Sequence, residues 1–147
     1  MSKFFLTLHV LAAVLGVGPV AVAASMFPRT LRTADAAGDP AAALTTLGTL
    51  HRITRVYAAV SLAVPVFGFA TASSMHVLGT PWLIASIILT ALAAVCLFAL
   101  LPLQENAMEA PAAALAPRLA MIAGVFNLLW AAVTVLMIVR PGSSTGA

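Results

Sequence analysis

Charge is what this chain has least of. Four acidic and seven basic residues are spread over 147 positions, too few polar groups to cover the water-facing surface that a folded domain of this size presents. No acidic residue falls inside a long apolar run, no lysine follows Lys3, and Cys96 is the one cysteine. These shortages exclude paired-carboxylate chemistry inside a span, a glycine-lysine phosphate loop, and a disulfide framework or cysteine metal cluster within one chain. There is also no metalloprotease histidine pair and no nucleophile elbow, so intramembrane hydrolysis and ATP-driven transport are not expected of this chain alone. An isoelectric point near 10 rests on scattered basic residues with no basic stripe, and nucleic acid is not an expected partner.

What the chain has instead is apolar sequence: 63% of its residues are hydrophobic. They gather into four runs, Phe4 to Phe27, Ile53 to Ala72, Trp82 to Leu103 and Leu119 to Val139, each close to the roughly 20 residues a helix needs to cross a bilayer. Lipid offers no partner to a backbone amide, so runs without barrel-type alternation must be helical. The expectation is an all-α membrane protein, a single domain over residues 1–147 built as an antiparallel bundle of four transmembrane helices with the lipid bilayer as its medium. Lys3, the apolar stretch behind it and Ala21, Ala23 and Ala24 imitate a cleavable secretory signal. That run is longer than a signal core and carries a histidine and "GVGP", so it is expected to stay as the first span. Arg29, Arg32, Arg52, Arg55 and Arg118 border the first and third connections, against Lys3 and Arg140 on the opposite side. The positive-inside rule then puts both termini on the non-cytoplasmic side.

Local signals refine this plan. Asp39 followed by Pro40 reads as an N-cap and first helical position, which starts the second helix near residue 40 and carries it through "HRITRVYAAV". Pro65 and Gly68 are expected to kink that helix. Gly79 and Pro81 mark the turn into the third, and Pro117 the restart before the fourth. Trp82 reads as an interfacial anchor, Trp130 as a packed residue and Asn127 as an interhelical hydrogen-bonding group.

The chemistry-bearing residues fall into two groups. His9 sits about one and a half turns inside the exterior boundary, and helical stepping places Ala13 and Gly16 on its face. An imidazole beside a groove of small residues permits a haem or metal site. It equally permits a histidine bonded to a neighbouring helix, with the small residues serving close helix approach. His51 belongs near the opposite boundary, on the order of 20 Å away, so it cannot share an iron with His9. His76, in the exterior turn beside Met75, is the candidate second ligand. The other group is "HRITR", in which His51, Arg52 and Arg55 are candidate contacts for an anion or a lipid headgroup.

"FFLTLHVLAAVLGVGPVAVAASMFPR" followed by a helix opening "HRITR" resembles a family of small four-helix bacterial integral-membrane proteins of unknown function, over most of the chain. Its most distinctive part is Leu8, His9 and Val10 with the Gly16 to Gly18 stretch behind them. The same opening is similar, more distantly, to the copper-resistance CopD-like membrane proteins and the HemJ-like protoporphyrinogen oxidases, a resemblance that implies a metal or haem role for His9. The chain departs from the HemJ-like pattern in having no lysine after Lys3.

Three functions from different classes follow as expectations for a protein of the bacterial plasma membrane. The first is an accessory or structural component, as a homo-oligomer or beside partners in a membrane complex. The second is a membrane redox protein that uses His9, with haem b the leading candidate cofactor. The third is an oligomeric conduit for a small molecule or ion, for which Asn127, Tyr57, Ser61, Ser86 and Thr90 would be the polar path.

Overall fold

The computed structural model describes residues 1–34, 36–109 and 113–143, and among these every regular element is helical. The first rod is α1 (Ser2–Ala12), a π-helical turn (Ala13–Val17) and α2 (Gly18–Ala34). The second is α3 (Pro40–Ser61) and α4 (Ala63–Ser74). The third is the unbroken α5 (Pro81–Glu109), and the fourth is a short 3-10 turn (Ala113–Leu115) leading into α6 (Ala116–Val139). All four rods are long and apolar enough to cross a membrane.

Helix ends follow the sequence chemistry. Asp39 accepts a hydrogen bond from the Ala42 amide at 3.0 Å, so the second rod starts at Pro40 with its first turn capped. Pro81 opens α5, and Pro117 stands in the first turn of α6. The expected kink in the second rod falls elsewhere. The helix breaks at Leu62, between Ser61 and Ala63, because Pro65 has no N–H to give the carbonyl four residues back and its ring crowds that turn. Gly68 lies within regular helix. Pro19 has the same effect on the first rod, which widens into the π turn just ahead of it.

Packing is dense at one end of the molecule and sparse at the other. At the dense end Phe27 and Leu31 of α2, Leu47 and Leu50 of α3, Leu100 and Ala107 of α5, and Leu119 and Ala123 of α6 form one buried cluster. A middle layer of Val20, Ala93 and Phe126 follows, with Tyr57 and Trp130 against it. Beyond that layer the rods separate into pairs: α1 packs on α4, and α5 on α6. The pairs meet again at the turn after α4, where Ala72, Trp82 and Leu83 cluster. Trp82, expected at a lipid interface, is 7% exposed, because the turn folds its ring under the Arg140 side chain.

Close backbone approach holds the first two rods together. A Cβ on Gly16 would sit 2.9 Å from Ser61 Oγ and 3.1 Å from Ser61 Cα, a contact only glycine allows. Gly124 faces open space. Gly16→Leu is therefore expected to lower the thermal midpoint in detergent, with an overpacking cost of about 1–3 kcal/mol, while Gly124→Leu leaves it in place. Equal midpoints for the two variants would remove this contact from the account.

Candidate functional site

His9 is 9% exposed and its ring packs against Gly68 of α4. Its Nδ1 is 2.8 Å from the carbonyl oxygen of Val64. A carbonyl oxygen only accepts, so Nδ1 carries the proton and donates. The bond fixes the orientation of the ring and leaves Nε2 as the nitrogen not engaged with α4, the arrangement in which a histidine is oriented for coordination. Nε2 meets no hydrogen-bond partner among the described residues.

Gly68 makes this possible. A Cβ there would stand 2.9 Å from His9 Cε1 and 3.0 Å from Nδ1, so the imidazole occupies the space a side chain would take. Gly68 is thus a seat and not a hinge.

The ring borders a cleft of about 1000 Å³ formed where the helix pairs separate. One wall is α1 and α4, with His9, Ala13 and Gly68; the other is the start of α5 and the end of α6, with Ile87 and Val133. The lining is apolar apart from a few groups. Trp82 and Trp130 both border the cleft, and the indole N–H of each is buried without an acceptor. Arg140 stands at the mouth, with its Nε donating to the Met137 carbonyl at 3.2 Å and its guanidinium 5.5 Å from the Trp82 ring centre. Met75 and Met137 bring thioethers to the walls.

The other predicted residues are placed differently. Ala13 borders the cleft beside His9, whereas Gly16 is buried against Ser61. His76 is exposed at the end of α4 in a left-handed conformation, φ 58°, with its Nδ1 donating to the Ser73 carbonyl at 2.9 Å. It lies eight residues beyond Gly68, about 12 Å along the helix, and does not border the cleft. Among the described residues no group of three or more histidine, cysteine or acidic side chains is gathered for a metal ion.

"HRITR" divides as well. His51 turns inward, its Nδ1 donating to Gln104 Oε1 at 3.0 Å and its Nε2 3.3 Å from Glu105 Oε1. Arg52 and Arg55 are both exposed. Asn127 donates to Ser25 Oγ at 3.0 Å, the interhelical bond expected of it.

The residues that sequence reasoning missed act through backbone or shape. Val64 contributes a carbonyl, which no side-chain pattern reports. Gln104 lay one position beyond the third apolar run, and its pairing with His51 had no spacing to signal it. Comparison of the chain with known protein families, with curated proteins and with solved structures finds no match.

His51 and Gln104 bond α3 to α5, and Gln104 is fully buried with its amide nitrogen already unpartnered. His51→Ala would strand the amide oxygen too, a loss of about 1–3 kcal/mol. Arg52→Ala, at an exposed position, should stay within about 0.5 kcal/mol of wild type. Unfolding of both variants in detergent checks the difference, and a His51→Ala midpoint equal to wild type would contradict it.

Proposed function

We propose that this chain is an antiparallel four-helix bundle of the bacterial plasma membrane, with both termini on the non-cytoplasmic side, and that it carries haem b in the cleft with His9 as an axial ligand. The observation that carries the reading is the Val64 carbonyl on His9 Nδ1, which orients the ring and leaves Nε2 without that bond beside a large apolar cavity. The pairings of Gly16 with Ser61, His51 with Gln104 and Ser25 with Asn127 support the antiparallel arrangement, since each joins successive or first and last rods at matching heights.

The residues present fit the group. A flat macrocycle needs an apolar slot, a neutral imidazole nitrogen and a cation for its carboxylates. The cleft, His9 Nε2 and Arg140 answer these needs. Met75 and Met137 are the soft donors on the cleft walls; His76, exposed at its turn, is not among them. Haem would supply one-electron chemistry within the membrane. This chain's own part is to orient the His9 ring, exclude water with apolar walls and place a positive charge at the mouth.

The accessory-component reading is favoured by the long apolar faces that the rods leave exposed, such as Val14 at 64% and Leu128 at 72%, which suit either lipid or a partner helix. Visible spectra of protein expressed with haem supply separate the two. The redox reading expects a Soret band with reducible alpha and beta bands, lost in His9→Ala and weakened in Gly68→Ala, whose new methyl displaces the imidazole. A band that survives His9→Ala overturns the assignment of the ligand, and a colourless folded wild type leaves the accessory role.

A further inference from the structure

A second cavity, of about 250 Å³, runs along the outside of the break in the second rod. Arg55 borders one end, and Pro65, Thr90 and Trp130 border the other. Ten residues separate Arg55 from Pro65, so the slot is about 15 Å long. Between these ends its walls are apolar side chains such as Leu62, Leu97 and Phe98. The break at Leu62 lies within this slot, with lining residues on both sides of it.

Arg55 is exposed, and no carboxylate pairs with it among the described residues. It lies three residues past Arg52, about 4.5 Å deeper along the same helix, on a rod apolar enough to cross the membrane. A guanidinium at the rim of hydrocarbon retains its charge and takes an anionic partner, and its planar fork matches a phosphate with two parallel bonds. A lone cation at one end of a narrow apolar slot has the shape and charge pattern of an anionic amphiphile.

We propose that this slot binds one anionic phospholipid, with its phosphate on Arg55 and an acyl chain lying along Leu62 and Phe98 toward Trp130. Pro65, Thr90 and Trp130 border both cavities, so the chain ends against the wall of the main cleft. The site holds the two helix pairs in their separated positions by filling the gap at the break. It rests on the membrane placement proposed above and not on the ligation of His9.

The test reads Trp130 directly. Trp82→Phe leaves Trp130 as the one tryptophan, and this variant is placed in vesicles containing a phosphatidylglycerol or a phosphatidylcholine with mid-chain bromines. Bromine quenches on contact, so stronger quenching by the anionic lipid at equal mole fraction is expected. Arg55→Gln in the same background should abolish that preference, and Arg52→Gln should keep it. Quenching that does not distinguish the two lipids overturns the site. So does a preference lost equally in both arginine variants, which would mark diffuse interfacial charge. Inorganic phosphate added to the phosphatidylcholine vesicles should leave the quenching unchanged, whereas a response to it would mean that Arg55 takes a free anion. Should Trp82→Phe fail to fold, the same comparison on the summed emission of both tryptophans in Arg55→Gln, Arg52→Gln and wild type decides between the outcomes. A colourless protein that shows the lipid preference would sink the haem reading alone.

Discussion

The hydrogen bond from His9 Nδ1 to the Val64 carbonyl is the interaction on which the open half of this molecule depends. A buried imidazole N–H without an acceptor is costly, and the histidine finds one on a neighbouring helix. It reaches a backbone carbonyl only because Gly68 has no side chain in the way. The same contact decides what the opposite nitrogen can do. With Nδ1 committed to the second rod, Nε2 is the nitrogen left without that bond on the wall of a cavity.

Two prolines prepare that geometry from a distance. Pro19 and Pro65 each remove a backbone donor, and the helices respond with a π turn over Ala13–Val17 and a break at Leu62. Both irregularities lie at the level where the four rods stop packing as one layer and become two pairs. Below it, large aliphatic residues and the His51–Gln104 bond close the structure. Above it, α1 leans on α4, α5 on α6, and the space between them is the cleft. Irregular backbone, a seated imidazole and unpartnered indole donors occur together there, where the sequence departs from simple helix packing.

The helical plan was legible in composition and hydropathy: four long apolar runs, the Asp39 cap, and the starts at Pro81 and Pro117 follow from local chemistry. The actual rods exceed the apolar runs, as with Ser2–Ala34 against Phe4 to Phe27, since helices continue into the interface and beyond. His9 was legible as an unusual residue, and the adjacency of Ala13 followed from helical stepping. Its partner was not, because Val64 contributes a backbone atom and Gly68 contributes an absence. Gly68 read as a kink in the sequence; opposite a histidine on the preceding rod, it serves as a cradle. His76 looked available as a second donor on grounds of depth alone, but it stands exposed past the end of α4 and does not border the cleft. Trp82 illustrates the same limit, since a turn and a distant arginine bury a residue whose position in the sequence suggested a lipid interface.

The central claim concerns one proton. Protein labelled with nitrogen-15 histidine and reconstituted in lipid, with the His9 signals assigned by their absence in His9→Ala, reports which ring nitrogen carries hydrogen. The account predicts for His9, in the absence of any added ligand, a protonated Nδ1 held in slow exchange. A ring that carries its proton on Nε2 and none on Nδ1, or that averages between its tautomers, would contradict the Val64 bond and with it the orientation of the site.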